Sequence, residues 1–303
     1  MNRGKLLATI DKNLDDPVAL AFSTQGQLWV GNSQPARQGR NWFRQESISV
    51  YDPGSQTPIK ILRKNSDPQA FVFDSAGNAY VANQYAWQGY GTISVYAPGA
   101  DTPTRKIGNN ENLSFPDALA LDAAGNLYVA NWADGEYAPN SISVFTASSG
   151  VFNYAITQGV FYPGAVAMSG QNLYVANGPP KGVGKLPYGS VTVYPLGATS
   201  PSLTITQGIH TPAALAFDSS GNLYVANLNG HSVSVYPPNG AQPIRVISDG
   251  AKSPKALAIG TQGDLYVANL YQNSVSVYAP SATKPKLTIA TGLDTPNAIA
   301  LQP

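Results

Sequence analysis

The sequence has no cysteine, little charge and no long apolar run, and each lack excludes a class of protein. Without cysteine there is neither a disulfide framework nor a thiolate metal site. Charged residues are 12% of the chain and the net charge is only +1, so the strongly basic surface of a dedicated nucleic-acid or anionic-membrane binder is missing. No run of about 18 apolar residues occurs, so no membrane span is predicted.

Apolar and turn-forming residues take the place of the missing charge. Hydrophobic residues make up 43% of the 303 residues, and 17 of them are tyrosine. This composition is unlike that of a disordered chain, which lacks apolar surface to bury. The 29 Gly and 24 Pro indicate many turns. We therefore expect a folded protein built from short elements.

A short motif that ends in asparagine occurs six times along the chain. The copies end at Asn32, Asn83, Asn131, Asn177, Asn227 and Asn269. Successive copies lie between 42 residues (Asn227 to Asn269) and 51 residues (Asn32 to Asn83) apart. Periods of this length are typical of solenoids and propellers.

The fifth repeat shows the content of one unit. Apolar residues 213–217 and 223–227 are joined by a polar hairpin turn, residues 232–236 alternate strictly, and residues 244–247 follow a proline. A proline at the start of a strand suits an outer edge strand, which needs no ladder donor there. Four antiparallel strands in each of six units, without helical periodicity, predict an all-β, six-bladed β-propeller.

We predict a single propeller domain over residues 1–303. The repeat units span roughly 15–62, 66–107, 114–156, 161–205, 210–247 and 252–289. Segments 5–10 and 295–301 also look like strands, and we expect them to close the ring by overlap of the chain ends. Because a six-bladed ring needs only one of them, seven blades with an incomplete last blade is the alternative.

The sequence of each unit resembles that of a known repeat family. Pro-x-Ala-Leu-Ala-Phe-Asp, Gly-Asn-Leu-Tyr-Val-Ala-Asn and Ser-Val-Ser-Val-Tyr, all in the fifth unit, resemble NHL-repeat propellers. They are similar more loosely to the wider group with gluconolactonase-like and virginiamycin B lyase-like propellers. The resemblance covers residues 5–301 and implies a propeller. Members of these families bind proteins or RNA, serve as extracellular sensors, or act as lactonases and lyases.

Residues that repeat in every unit are explained first by the fold. We expect the strand-end asparagines to close Asx-type turns with their own backbone. Hairpin aspartates such as Asp74 and Asp218 are expected to be turn residues for the same reason. The second-strand tyrosines are expected to fill the wedge between neighbouring blades: Tyr80, Tyr128, Tyr174, Tyr224 and Tyr266.

Function is expected where the units differ. The connections between second and third strands are long in units one to four and short in units five and six, and they contain three of the four tryptophans. Together with the variable residues after the repeated prolines, which we place at the mouth of a central channel, they predict a ligand site. The candidate residues are Trp42, Phe43, Arg44, Gln69, Tyr85, Trp87, Asp117, Trp132, Tyr188, His210, His231 and Lys255.

Two functions compete for this site. The leading hypothesis is non-enzymatic binding of a glycan or a partner protein on the face with the long loops, because aromatic planes pack well against sugars and apolar side chains. The alternative is a lyase or lactonase at the channel mouth that uses Asp117, Lys255, His210 or His231. Since the chain has only two histidines and no matching glutamate, we assign no catalytic residue and no metal ligand.

Partners and location follow from the same features. We expect a monomer that binds a glycan or a protein, without nucleic acid or membrane insertion. No cofactor is expected, although the enzyme hypothesis leaves room for a divalent cation on the channel axis. Low charge favours a secreted or extracytoplasmic protein, with no signal peptide in this sequence.

Overall fold

The computed structural model describes residues 8–11, 13–14, 16–33, 35–38, 41–44, 46–63, 67–85, 90–108, 112–132, 139–179 and 188–302. For residues 35–38, 41–44, 85 and 90 only the backbone is described. The chain divides into two compact units, centred on Ala8–Ala155 and on Ile156–Leu301. Each unit contributes three four-stranded antiparallel sheets, which we call blades one to six.

The strands of the first unit follow the repeat in chain order. Blade one contains β1 (Pro17–Phe22), β2 (Leu28–Asn32), β5 (Ser47–Tyr51) and β6 (Lys60–Leu62), and the hairpin of β3 (Pro35–Gln38) and β4 (Asn41–Arg44) lies between β2 and β5. Blade two contains β7 (Pro68–Phe73), β8 (Ala79–Tyr85), β9 (Tyr90–Tyr96) and β10 (Arg105–Ile107). Blade three contains β11 (Pro116–Leu121), β12 (Asn126–Asn131), β13 (Ser141–Thr146) and β14 (Val151–Ile156).

The second unit repeats the same order. Blade four contains β15 (Pro163–Ser169), β16 (Asn172–Asn177), β17 (Ser190–Pro195) and β18 (Leu203–Ile205). Blade five contains β19 (Pro212–Phe217), β20 (Leu223–Asn227), β21 (Ser232–Tyr236) and β22 (Arg245–Ile247). Blade six contains β23 (Pro254–Ile259), β24 (Leu265–Asn269), β25 (Ser274–Tyr278) and β26 (Leu287–Ile289). Within the described residues, the single turn of 3-10 helix at Leu270–Gln272 is the only helical element.

Apolar side chains fill the space between neighbouring blades of a unit. In the first unit, Trp29 of blade one meets Phe73 of blade two edge to face, with ring centroids 5.5 Å apart. In the second unit, Tyr174 of blade four meets Phe217 of blade five at 4.8 Å. Tyr80 and Tyr224 are likewise buried in clusters that join two blades. The expectation that second-strand tyrosines fill these wedges is confirmed for Tyr80, Tyr174 and Tyr224.

Hairpin aspartates hold the turn between first and second strands. Asp218 Oδ1 accepts hydrogen bonds from the backbone N–H groups of Ser220 and Asn222, both at 2.9 Å. Its Oδ2 accepts from Asn222 Nδ2 at 2.8 Å and from the Tyr224 hydroxyl at 3.3 Å. Partial burial acts to raise the pKa of Asp218, but these hydrogen bonds to the ionised form outweigh it and hold the pKa below its ordinary value. The predicted turn role is confirmed.

Two local expectations need correction. In every blade but the third, the fourth strand begins two residues after the repeated proline, as Arg245 does after Pro243, because only the residues from there onward pair with the third strand. Residues 295–301 and the described residues 8–10 carry no strand, and residues 5–7 lie outside the described part. No described residue supplies these segments with the ladder partner that a second strand supplies to each first strand.

Candidate functional site

In each blade, the residues that vary between units lie at one end of the sheet. The first residue of every first strand is a proline, and it pairs with the asparagine that ends the second strand. The connection into the first strand and the connection from the second to the third strand therefore lie at the same end of the sheet. We call this end the proline face of the blade.

The backbone that leads into each first strand has the same uncommon form. The residue before the proline has a positive φ, from 44° to 55°, a left-handed conformation that costs a non-glycine residue about 1–2 kcal/mol. Its carbonyl accepts a hydrogen bond, 3.0 to 3.2 Å long, from the backbone N–H of the residue after the strand-end asparagine. These left-handed residues are Asp16, Asp67, Phe115, Tyr162, Thr211 and Ser253.

The residue after each proline is the extra residue of a β-bulge. In all six first strands the register shifts between the proline and the second residue after it, so that the residue between them has no partner opposite in the ladder. A bulge re-aims the side chain of the extra residue and is common beside binding sites. The bulged residues are Val18, Gln69, Asp117, Gly164, Ala213 and Lys255.

The strand-end asparagines are structural, and they act through neighbouring elements. All six are at most 1% exposed. In blade five, Asn227 Oδ1 accepts from the His210 backbone N–H at 2.9 Å, and Nδ2 donates to Ser234 Oγ at 3.0 Å and to the Gly208 carbonyl at 3.1 Å. The asparagine thus ties the third strand to the segment that leads into the first strand. The expected Asx turn is replaced by this clamp, because the buried amide has closer partners on both sides.

Polar side chains on the proline face of the first unit form a connected set across blades one to three. Ser33 Oγ donates to Asp67 Oδ1, and Gln69 Nε2 donates to the same oxygen at 2.6 Å. The Gln84 backbone N–H donates to the Asp67 carbonyl at 3.1 Å, and Gln84 Nε2 lies 3.5 Å from Asp117 Oδ1. We call these five residues the polar chain. Their mutual hydrogen bonds fix the orientation of two carboxylates and two amides.

An exposed tryptophan lies at the blade-three end of the polar chain. Trp132 follows the last residue of β12 and is 38% exposed. Its backbone N–H donates to the Phe115 carbonyl at 3.1 Å, and its ring meets the Phe115 ring edge to face at 6.2 Å. Phe115 is two residues before Asp117. The first unit therefore combines an oriented aromatic plane with fixed polar groups.

The second unit has an aromatic pair on its proline face. Tyr188, which is 52% exposed, stacks on His210 with ring centroids 4.1 Å apart and an interplanar angle of 20°. The Tyr188 carbonyl accepts a hydrogen bond from the Thr211 backbone N–H at 2.6 Å. His210 Nδ1 is buried and has no hydrogen-bond partner among the described residues. The two rings therefore form a second contact surface, next to the left-handed Thr211.

His231 links blade five to blade six. Its Nδ1 accepts the Ser253 backbone N–H at 3.0 Å, so the neutral ring carries its proton on Nε2, as assigned from this hydrogen bond. Neither nitrogen is then poised to remove a proton from a substrate without a change of tautomer. Lys255, the bulged residue of blade six, is half-buried. In the part of the chain that the structure describes, no group of three or more His, Asp or Glu side chains could hold a metal ion.

The remaining candidates lie in the long connections. Trp42, Phe43 and Arg44 are on β4, where they pair with residues of β3. Tyr85 ends β8 opposite Tyr90. Trp87 lies outside the described residues.

The structure thus brings Gln69, Asp117 and Trp132 into one set and pairs Tyr188 with His210. Sequence reasoning missed Ser33, Asp67 and Gln84. Asp67 precedes a repeated proline, while Ser33 and Gln84 directly follow strand-end asparagines. An alignment of the six units could have identified these residues, because the residue before the proline and the residue after the asparagine both vary from unit to unit.

Comparisons with known proteins support the fold and go no further. No protein-family model and no curated protein matches the chain. The hydrazine synthase of Kuenenia stuttgartiensis is similar in structure, with a TM-score of 0.74 and 16% identity over 99% of this chain and 94% of that chain. The predicted fold class is confirmed: the chain is an all-β, six-bladed β-propeller with four antiparallel strands in each blade. Solved structures match the chain in 1085 cases, and a likeness at 16% identity shows the fold alone. None of the described helices is long and apolar enough to cross a membrane.

Proposed function

We propose that this chain is a non-enzymatic propeller that binds a glycan on the proline face of blades one to three, within the first unit. The observation that carries the proposal is the exposed ring of Trp132 beside the polar chain that ends at Asp117. The proposed binding mode uses no cofactor.

The chemistry of these groups suits a sugar. Sugar hydroxyls both donate and accept hydrogen bonds, which carboxylate oxygens and side-chain amides complement. An aromatic plane packs against the apolar C–H face of a sugar ring. In the polar chain, Asp67 is only 8% exposed and accepts from both Ser33 and Gln69. Such groups keep their orientation when a ligand arrives, which lowers the entropic cost of binding.

A partner protein is the second candidate ligand. The observation that favours it is the exposed tyrosine surface of the second unit, where Tyr188 and Tyr271 are 52% and 70% exposed. Tyrosine is enriched among the residues that dominate protein interfaces. A protein ligand would therefore depend on Tyr188, whereas a glycan would depend on Trp132.

The enzymatic alternative, a lyase or lactonase at the channel mouth, has less support. A general base needs an accessible lone pair and commonly a group that orients it. His231 uses Nδ1 to accept from Ser253, and no described group bonds to the Nδ1 of His210 to orient its ring. A stoichiometric divalent ion in the purified protein would favour the enzyme over the binding scaffold.

Binding is tested first on an array of neutral oligosaccharides and then by calorimetric titration with the best of them. We expect Trp132→Ala to weaken binding by about 10-fold or more, which corresponds to about 1.4 kcal/mol, and Asp117→Ala to weaken it as well. Tyr271→Ala is the matched control, because it removes an exposed aromatic ring from the second unit. Unchanged binding after Trp132→Ala, or after Ala substitution of Trp42, Trp87 and Trp132 together, would contradict the proposal.

Two finer assignments are part of the same proposal. We place the chain in the NHL-like group of propellers, supported by the blade motif that recurs in six units. We also propose a secreted or extracytoplasmic location, supported by the low charge of 12%. Fractionation of the producing cells, with detection of the native chain, tests the location.

A further inference from the structure

The outer edge of blade three differs from the other five outer edges. The fourth strands of the other blades (β6, β10, β18, β22 and β26) have three residues each, whereas β14 has six. Each of those five strands begins two residues after a proline, and no proline precedes β14 in this way. Four of the five also carry Lys or Arg in the strand or directly before it, whereas Val151–Ile156 is uncharged.

This difference matters because an outer edge displays backbone donors and acceptors that another strand can use. Natural sheets block such pairing with short strands, prolines and charges. Blade three has none of these three guards. Its edge is also apolar and accessible, since Val151 is 58% exposed and Phe152 is 40% exposed. Asn153 and Ala155 are exposed as well.

The edge is already ordered by contacts with its own blade. The Phe152 ring packs edge to face on Phe145, with centroids 5.5 Å apart. The side-chain amide of Asn153 lies 3.2 Å from Thr146 Oγ1. The Tyr154 side chain is hydrogen-bonded to that of Tyr128. Burial is the main cause that raises the pKa of Tyr128, and this hydrogen bond raises it further. A partner strand would therefore meet a preformed template, with little ordering cost.

We propose that β14 pairs with β14 of a second copy of this chain, antiparallel and across a two-fold axis, so that two blade-three sheets become one sheet of eight strands. A two-fold axis perpendicular to a sheet pairs residues of equal parity, so one residue pairs with itself. With Asn153 on the axis, Phe152 lies opposite Tyr154 of the partner subunit. Val151 then lies opposite Ala155 of the partner subunit.

A second copy fits this edge because the strand is complementary to itself. In this register the aromatic Phe152 faces the aromatic Tyr154 of the partner subunit, the apolar Val151 faces the apolar Ala155 of the partner subunit, and the amide of Asn153 faces its own copy. Cross-strand pairs of these kinds stabilise sheets. No like charges meet, because the strand has none. The same pairing of two copies of β10, with its central residue on the axis, would place Lys106 against Lys106 of the partner subunit. A standard interface has about 20–30 residues on each side, so six residues make a weak dimer, and the monomer expected from the sequence prevails at low concentration.

Sedimentation equilibrium of the full chain tests the proposal between about 5 µM and about 500 µM, the range in which a weak pair forms. We expect the mean mass to rise with concentration for the wild type. Asn153→Lys places two cations at the axis, and Ala155→Lys places a cation beside Val151 of the partner subunit, so each should weaken association by about 10-fold or more. Thr204→Lys is the matched control, since Thr204 is the exposed central residue of the guarded strand β18.

Three results would overturn the proposal. The first is a monomer at every concentration. The second is a dimer that both Lys variants leave intact while their thermal unfolding matches the wild type, which would place the interface elsewhere. The third is a monomeric chain that binds an extended peptide with the β14 sequence, which would assign the edge to a peptide. Glycan titration with Asn153→Lys separates this proposal from the proposed function, because the two fail independently.

Discussion

The hydrogen bonds that clamp Asn227 give the sharpest prediction. A polar residue that recurs in every blade can either stabilise the fold or bind a ligand, and the two roles predict different effects on stability. Asn227 is fully buried. Asn227→Ala removes its bonds to the His210 N–H, to Ser234 Oγ and to the Gly208 carbonyl, which are 2.9, 3.0 and 3.1 Å long. If the residue is scaffold, the substitution should lower stability strongly.

The magnitude follows from these three contacts. A neutral hydrogen bond contributes about 1 kcal/mol net, and a buried donor left without an acceptor costs about 1–3 kcal/mol. The His210 N–H loses its acceptor, while the Gly208 carbonyl keeps the Ser234 hydroxyl at 2.7 Å. The same loss releases the segment that holds Thr211 in its left-handed conformation. We therefore expect Asn227→Ala to reduce the free energy of unfolding by about 3–4 kcal/mol.

Urea unfolding followed by tyrosine fluorescence measures this change as a shift of the midpoint at constant slope. Asn229→Ala is the matched control, because Asn229 is exposed and donates a single bond to Thr211 Oγ1 at 3.2 Å. It should cost less than about 0.5 kcal/mol. Asn227→Asp keeps the acceptor for His210 but places a carboxylate against the Gly208 carbonyl, and it should destabilise as much as Ala. A cost below about 1 kcal/mol for Asn227→Ala would refute the clamp.

Three further predictions use the same unfolding assay. A Cβ at Gly91 would lie 2.2 Å from Pro116 Cδ, so Gly91→Ala should cost about 1–3 kcal/mol, whereas Gly164→Ala, where a Cβ meets nothing within 4 Å, should cost little. The pKa of Asp218 is lowered, so its ionised form stabilises the fold near neutral pH, and the stability gap between wild type and Asp218→Asn should shrink as the pH falls below about 4. Burial raises the pKa of Tyr236 to about 12, so its stabilising effect should be lost as the pH rises from about 10 to about 12, and Tyr236→Phe should reduce that alkaline loss.

Much of the fold was predictable because each of the six units carries the same pattern of strands and turns. The Pro-to-Asn spacing, the Gly-containing hairpins and the alternating third strands recur six times, so local ambiguity in one unit is resolved by the others. Side chains such as Tyr80 and Asp218 were assigned correctly for this reason. The outer strand β14 departs from the pattern in its length and in its lack of a proline, and the repeat pattern alone does not predict this departure.

The candidate site was only partly predictable, because it depends on bonds between blades. The variable residues after the prolines were visible in the sequence, and they include Gln69 and Asp117. Their partners were not, since Ser33 precedes Asp67 by 34 residues and Gln84 precedes Asp117 by 33. The bulge was also hidden, because it arises from the left-handed residue before the proline, and aspartate, phenylalanine, tyrosine, threonine and serine all occupy that position. The bulge is therefore not marked by any single residue type at that position.

The structure explains how one position can vary without loss of the fold. In blades three to six, a backbone N–H of the segment that leads into the first strand donates to the strand-end asparagine. In all six blades, the carbonyl of the left-handed residue holds the same segment, and neither bond involves the bulged side chain. The bulged residue can therefore be Gln69, Asp117 or Lys255 while the six backbones keep one shape. The scaffold thus fixes the backbone, and the side chains of the bulged residues can determine which ligand binds. Gln69→Ala should then cost clearly less stability than Asn227→Ala, because Asp67 keeps Ser33 as a donor, while it weakens glycan binding.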